Sequence, residues 1–305
     1  MSLLTDTQGT PERVWSLLRL LSSMGGSLSS SEIDAWMNPD FRGGGEMARE
    51  PLSVSVSQTI GSAASLGFVE SPKRGEYRLA VPLPASLGDF ADLVHASLVE
   101  TDAGQANSVM LEAYAAVVAL TERHGGTAWA NKTRQDFAAD IDHGLRAVDE
   151  RDGERRFNST KYPAWARWMS FLGLGIEVPI AGGRNTFYPY PAGRLERELR
   201  LLAEELPPGR EHDVDTVLRC LSRRMPYLDG GRWLLVAAER LGLGLRPRTL
   251  TMVLSGALRD LHDDGRLVLA TPGDAADAFA LGRDPTHPLK SVKTLTVVIQ
   301  ETTDA

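Results

Sequence analysis

The histidines are the first candidates for metal binding or acid–base chemistry. None belongs to an HExxH motif, and no two are spaced by i, i+4, which would place both rings on one helix face. Asp140, Asp142 and His143 could supply oxygen and nitrogen ligands. However, Asp136, Asp140 and His143 alternate with the apolar Phe137 and Ile141, which predicts the polar side of an amphipathic helix. No metal site is therefore expected. The six histidines are His95, His124, His143, His212, His262 and His287.

The single cysteine and the glycine-rich segments offer no other reaction chemistry. Cys220 lies beside Leu218 and Leu221 in an amphipathic pattern, and no base or oxyanion site accompanies it, so a packed thiol is predicted. The glycines at 43–45 lack the Lys-Ser/Thr of a phosphate-binding loop, and the LGLGL segment at 241–245 lacks GxGxxG spacing. No carboxylate pair stands out as an acid–base dyad. We therefore expect no cofactor and a protein that is not an enzyme.

A first polar stripe could read the edges of bases in a DNA groove. Hydrogen-bonding side chains recur there every three or four residues, opposite a predicted apolar helix face. A hairpin is predicted to follow, with Lys73 and Arg74 at its tip, where cations can contact phosphates. The stripe consists of Ser55, Gln58, Ser62 and Ser65.

A second stripe, nearer the C-terminus, carries more positive charge and is the favoured DNA contact. Residues 207–305 hold 13 Lys+Arg and 13 Asp+Glu, whereas the whole chain has a net charge of −7. The stripe consists of Arg248, Met252, Ser255 and Arg259, and Arg219, Arg223 and Arg224 precede it. Two alternatives stay open. Arg223 and Arg224 could pair with Asp213, Asp215 or Asp229, and either stripe could be a solvated face or a protein-docking surface.

The elements around these stripes predict a winged helix-turn-helix. Thr10 and Pro11 are typical of a helix start, and the glycines at 25–26 end that helix. Ser29 and Glu32 form a capping-box pattern that opens a second helix. A third apolar helix face, with Val56 and Ile60, is followed by a hairpin over residues 68–80.

The sequence of helix, glycine, apolar strand, turn and strand occurs three times, which predicts a structural repeat. The copies begin near Ser57, Lys161 and Thr249, and their hairpins are predicted at 68–79, 176–188 and 267–281. Trp165, Trp168 and Trp233 lie on apolar helix faces and are expected to be buried. The predicted fold class is mostly α, with tandem winged helix-turn-helix domains. The predicted domains are an N-terminal winged helix (1–82), a helical pair with a central winged-helix-like domain (83–206), a C-terminal winged helix (207–290) and a short β-rich tail (291–305).

Composition narrows the class of protein. One cysteine excludes a disulfide framework and suits a reducing compartment. No apolar run approaches the roughly 18 residues of a membrane span, and the first residues lack a signal-peptide pattern. A cytoplasmic protein without membrane contact is expected. The acidic net charge argues against charge-driven coating of nucleic acid but allows a local DNA-reading patch.

Two segments resemble the DpdG-type proteins. They are GTPER at residues 9–13, before a leucine-rich helix, and RFNSTKYPAWARWMSFLGL at 156–174. Proteins of this type are accessory components of bacterial gene islands that insert 7-deazaguanine derivatives into DNA and restrict unmodified DNA. The resemblance implies a cytoplasmic role in anti-phage restriction, beside a helicase (ATPase) and a nuclease. It supplies no active-site residues.

The expected function is that of a DNA-binding or assembly subunit of a defence complex, with double-stranded DNA and other complex proteins as partners. Two alternatives remain. An adaptor like the winged-helix subunits of kleisin-containing chromosome-maintenance complexes would present an apolar groove. A dimeric transcription regulator would read a palindromic site. The sequence alone does not choose an oligomeric state.

Overall fold

A computed structural model describes residues 2–38, 53–102, 104–145, 156–180, 184–273 and 277–298. About half of these residues are helical, and the strands form small antiparallel sheets. This agrees with the predicted mostly-α class. By their contacts, the residues group into unit 1 (Met1–Met110 and Thr160–Leu172) and unit 2 (Leu111–Ser159 and Gly173–Ala305). The domain limits predicted at 82, 206 and 290 stay predictions. No helix in the described ranges combines the length and apolar character needed to cross a bilayer.

Unit 1 begins with the elements that local sequence signals predict. The Thr10 hydroxyl accepts a hydrogen bond from the Arg13 amide at the start of α1, where Pro11 fills the first turn. Ser29 and Glu32 form the predicted reciprocal capping box at the start of α2. The elements are α1 (Pro11–Ser23), β1 (Ser27–Ser29), α2 (Ser30–Met37), α3 (Val54–Ser65), β2 (Val69–Lys73), β3 (Glu76–Leu79), α4 (Leu87–Glu100), the start of α5 (Val109–Arg123) and α7 (Tyr162–Phe171).

The core of unit 1 lies between α1, α3 and a three-stranded sheet of order β1-β3-β2. Leu17 and Leu21 of α1 are fully buried, and Val56 and Ile60 of α3 are buried too. The order of helices and strands is therefore helix, strand, helix, helix, strand, strand, with the last strand in the middle of the sheet. Gly75 has a φ of +78°, and this left-handed conformation lets the chain turn tightly between β2 and β3.

Unit 2 contains the rest of the described chain. Its elements are the end of α5, a 3₁₀-helix (Ala128–Asn131), α6 (Arg134–Gly144), β4 (Gly175–Ile180), β5 (Arg184–Pro189), α8 (Ala192–Leu201), β6 (Glu211–Asp213), α9 (Val214–Arg224), α10 (Arg232–Arg240), α11 (Met252–Asp263), β7 (Leu267–Ala270), β8 (Phe279–Ala280), β9 (Ser291–Val292) and β10 (Thr294–Val297). β4 and β5 pair with each other, β8 pairs with β9, and β6, β10 and β7 form a three-stranded sheet.

The C-terminal part of unit 2 repeats the topology of unit 1. Its order is α8, β6, α9, α11, β7 and β10, with α10 inserted, and the sheet order β6-β10-β7 corresponds to β1-β3-β2. α8 packs against α11 as α1 packs against α3. This second copy of the order includes α8, which supplies its first helix.

Two of the three predicted hairpins are confirmed. β2 pairs with β3, and β4 pairs with β5 in a continuous register from Gly175–Pro189 to Ile180–Arg184. The third prediction, at 267–281, is wrong. β7 pairs with β10, with Leu269 opposite Leu295, while Phe279 of β8 lies opposite Val292 of β9. The apolar side chains of β10 alternate towards the core, so the segment predicted as a tail becomes the middle strand of the sheet.

The tryptophan prediction is confirmed. Trp165, Trp168 and Trp233 are 0%, 1% and 2% exposed. The indole N–H of Trp165 donates to the backbone carbonyl of Met110 at 2.9 Å.

Candidate nucleic-acid interface

The unit 1 stripe on α3 is only partly accessible. Ser55 and Gln58 are half-buried, whereas Ser62 is fully buried, so its predicted place on a solvent face is wrong. The cause is the segment before α1. The Gln8 amide donates to Gln58 Oε1 at 2.8 Å, and a Cβ on Gly9 would lie 2.0 Å from Ser62 Oγ. The N-terminal segment therefore covers one side of α3.

The remaining solvent face of α3 lies towards its N-terminus. Val54 is 69% exposed, Ser57 is exposed, and Gln58 is half-buried. Ser55 joins a network with Asn38 and Ser53, which fixes the junction of this end with α2. The side chains left free to meet a groove are small or neutral, so this face could read base edges but contributes no charge.

The turn between β2 and β3 supplies positive charge to unit 1. Arg74 is exposed and makes no ion pair with any residue that the structure describes. The Lys73 ammonium pairs with Glu76 at 2.5 Å, and this hydrogen bond raises the pKa of Lys73 and keeps it protonated. The Lys73 side chain is still 77% exposed, so both cations can reach a phosphate.

The two polar members of the unit 2 stripe on α11 are buried, contrary to the prediction, whereas Met252 is half-buried. Ser255 is 0% exposed and Arg259 is 4% exposed. The guanidinium of Arg259 donates to the carbonyl of Leu289 at 2.9 Å (Nη2) and 3.2 Å (Nε), and to that of Gly282 at 2.9 Å. The Gly282 amide donates to Ser255 Oγ at 2.7 Å.

The segment between β7 and β10 is what covers α11. A Cβ on Gly282 would lie 2.7 Å from Met252 Cα, so only glycine permits this close approach. Burial lowers the pKa of Arg259, and its charge is stabilised by protein carbonyls. In the structure, Ser255 and Arg259 anchor a loop and do not face a DNA groove.

The α9 arginines are divided between ion pairs and solvent. Arg223 pairs with Glu205, and Arg224 pairs with the buried Glu198. These partners differ from the aspartates weighed from the sequence. Arg219 is exposed, and its guanidinium donates to Thr216 at 3.1 Å. Of the three α9 cations, Arg219 is thus the one best placed to meet an external anion.

Arg248 lies apart from the α11 face. Its guanidinium pairs with Asp215 at 3.3 Å, donates to the Asp277 carbonyl, and lies 4.4 Å from the centre of the Phe279 ring. Its backbone φ is +51°.

A buried carboxylate at the start of α11 was not singled out from the sequence. Asp229 accepts from the Thr251 amide at 2.8 Å and from its hydroxyl at 2.6 Å. Burial raises the pKa of Asp229 to about 6, and the nearby Glu122 adds to the rise. Glu122 in turn accepts from the Met252 amide at 2.8 Å. Both carboxylates stabilise the positive end of the helix dipole.

The residues weighed for metal binding and nucleophilic chemistry have other roles. Asp140 pairs with Lys132, and Asp142 accepts from the Phe157 amide at 2.7 Å. No group of three or more potential ligand residues in the described ranges could hold a metal ion. Cys220 is buried as predicted, and burial raises the pKa of its thiol.

One comparison with known proteins gives a match. A family model described as DpdG-like matches residues 1–275. No curated protein and no solved structure matches the chain. The matched range covers unit 1 and most of unit 2 and ends before β8.

Proposed function

The chain belongs to the DpdG-like family, and from this premise we propose that it is a non-enzymatic accessory subunit of a bacterial DNA-modification and restriction system. In this proposal the protein is cytoplasmic, contacts double-stranded DNA and works beside a helicase or nuclease of the same system. Unit 1 makes the primary DNA contact.

The topology supports a winged helix-turn-helix assignment for two parts of the chain. Three helices and a sheet whose last strand lies in the middle are typical of this motif. Both the unit 1 elements and the set from α8 to β10 have this order. In such a motif the helix before the hairpin enters the major groove, and the hairpin contacts the backbone or minor groove. These roles fall to α3 and to the turn between β2 and β3 in unit 1.

The different accessibility of the two helices supports unit 1 as the DNA contact. In unit 1, Ser57 of α3 is exposed and Gln58 is half-buried, and the exposed Arg74 of the β2–β3 turn forms no ion pair with a described residue. In unit 2 the corresponding helix, α11, is covered by the segment between β7 and β10, and the Arg259 guanidinium donates its hydrogen bonds to backbone carbonyls of that segment. The second copy would have to open before α11 could enter a groove.

The test is fluorescence anisotropy of a labelled duplex across a salt series. A Lys73→Ala, Arg74→Ala variant is expected to bind more weakly. Its slope of log affinity against log salt should fall by about one to two units, because each lost phosphate contact removes roughly 0.9. An Arg210→Ala, Arg283→Ala variant is the control, since it removes the same charge from exposed positions outside unit 1. Equal effects of the two variants would argue against a unit 1 interface.

Protein docking is the second candidate, and exposed apolar side chains on unit 1 favour it. Trp36 of α2 is 60% exposed and Val54 of α3 is 69% exposed. Exposed aromatic residues are common anchors in protein interfaces. If wild-type protein binds no duplex at about 50 mM salt, and Trp36→Ala abolishes co-purification with the system's helicase or nuclease, docking replaces DNA contact as the function of unit 1.

A further inference from the structure

Unit 2 contains a pocket that none of the roles above uses. It has a volume of about 440 Å³ and lies between α9, the chain around residues 245–249 and Phe279 of β8. This volume falls within the range of small-molecule sites. Leu218, Leu235 and Leu245 form much of its apolar lining, while Arg219, Arg246 and Arg248 supply its positive charge.

Two of the three guanidinium groups are available to an anion. Arg219 and Arg246 are exposed, and neither forms an ion pair with a residue in the described ranges. Asp215 is engaged by Arg248, and Asp229 is engaged by Thr251. Because these two carboxylates bind other groups, they do not neutralise the positive charges of Arg219 and Arg246. A guanidinium fork matches the oxygens of a phosphate group in geometry and charge.

The third guanidinium makes a cation–π contact with an aromatic ring. Arg248 lies over Phe279, with 4.4 Å between the guanidinium carbon and the ring centre. Arginine guanidinium groups and aromatic rings are both groups on which nucleic-acid bases stack.

The backbone that places Arg248 is conformationally unfavourable. Among the residues that the structure describes, Arg248 is the one non-glycine residue with a positive φ. Its carbonyl accepts from the Ala280 amide at 2.8 Å, and the Ala280 carbonyl accepts from the Leu250 amide at 2.9 Å. Pairing with β8 thus holds the conformation. Such strain is concentrated at ligand-binding positions.

We propose that this pocket binds one nucleotide unit, with its phosphate on Arg219 and Arg246 and its base against Arg248 and Phe279. The pocket is too small for a duplex, so the unit is either a free nucleotide or the terminal nucleotide of a single strand. The proposal does not depend on DNA contact by unit 1.

Isothermal titration calorimetry on the full chain tests it with adenosine 5′-monophosphate, adenosine, inorganic phosphate and a 5′-phosphorylated oligothymidylate. The monophosphate is expected to bind at least about tenfold more tightly than adenosine or phosphate alone, because each lacks one half of the recognised group. Tighter binding of the oligonucleotide than of the monophosphate would identify a strand end as the source, and the reverse order a free nucleotide.

Variants separate this site from general charge effects. Arg219→Ala or Arg246→Ala should weaken binding of the monophosphate about tenfold or more. Phe279→Ala should weaken binding of the monophosphate but not binding of inorganic phosphate. Two controls should leave the affinities for the monophosphate and for inorganic phosphate unchanged. They are Arg210→Ala, which removes an exposed arginine outside the pocket lining, and the Lys73→Ala, Arg74→Ala variant. Thermal melts verify that each variant is folded.

Three results would overturn the proposal. The first is no heat signal with about 1 mM monophosphate or phosphorylated strand. The second is inorganic phosphate binding as tightly as the nucleotide. The third is a loss of affinity for the monophosphate in Arg210→Ala that is as large as the loss in Arg219→Ala. None of these outcomes bears on duplex binding by unit 1, which is measured separately.

Discussion

Replacing Arg259 distinguishes an arginine that anchors the fold from one that binds DNA. Its side chain is 4% exposed and donates to two carbonyls, those of Gly282 and Leu289, in the loop that covers α11. A hydrogen bond from a charged donor contributes about 1.5–3 kcal/mol, and an orphaned buried acceptor costs about 1–3 kcal/mol. Removing the buried charge regains part of its desolvation free energy. We therefore expect Arg259→Ala to lower the free energy of unfolding by about 3 kcal/mol.

The assay is urea unfolding followed by circular dichroism, together with hydrogen–deuterium exchange of residues 280–293. Arg259→Ala should speed exchange in this loop, because its two carbonyl anchors are lost. Arg219→Ala is the matched control, since its exposed side chain should change stability by no more than about 0.5 kcal/mol. At temperatures where the variant is folded, its duplex affinity should equal that of the wild type. A stability loss below about 1 kcal/mol, or a weaker duplex affinity with unchanged exchange, would refute the anchoring role.

Three further predictions concern the stability of both units. Trp168→Ala should cost about 3–5 kcal/mol in a denaturant melt, because it empties a large buried site, and a loss under about 1 kcal/mol would contradict the packing. Gly282→Ala should destabilise by about 1–3 kcal/mol, since its Cβ would meet the backbone of α11, whereas Gly256→Ala, with open space around its Cβ, should stabilise by about 0.5–1 kcal/mol in the same melt. Asp229 has a folded-state pKa of about 6, above its unfolded value of 3.8. Its titration therefore contributes most to the free energy of unfolding below about pH 4, and this contribution is lost as the pH rises to about 6. Melting temperatures from pH 4 to 7 should therefore fall in the wild type relative to Asp229→Asn, and a constant difference between the two would contradict this titration.

Elements defined by neighbouring residues were predictable from sequence. The caps at Thr10 and Ser29 act over three residues, so their types and spacing are sufficient evidence. The hairpin of β2 and β3 depends on a short turn, and it too was predicted correctly. The apolar spacing around Trp165 and Trp168 correctly indicated which side of α7 is buried.

Pairings between distant segments were not predictable in this way. The spacing from β7 to β10 exceeds twenty residues, and the nearer segment Phe279–Ala280 was an equally acceptable strand partner by sequence. Burial of alternate residues in β10 against the unit 2 core decided between them. The same limit applies to α8, whose role as the first helix of the second motif depends on its packing against α11.

For the candidate interface too, local spacing predicted one part of the result and packing of distant segments decided the other. Sequence periodicity by itself determined that Ser55, Ser62, Ser255 and Arg259 lie opposite the main apolar faces of their helices. Only the tertiary structure decided that Ser62 lies under the N-terminal segment and that Arg259 lies under the loop from β8 to β9. For Arg259, the physical reason is that a polar side chain needs a hydrogen-bonding partner, and a backbone carbonyl from a distant segment satisfies that need as well as water does. Ser62 is instead covered by the close approach of Gly9, and its hydroxyl has no hydrogen-bond partner among the described residues. Helical spacing specifies the direction of a side chain, but which partner meets it depends on where the rest of the chain folds.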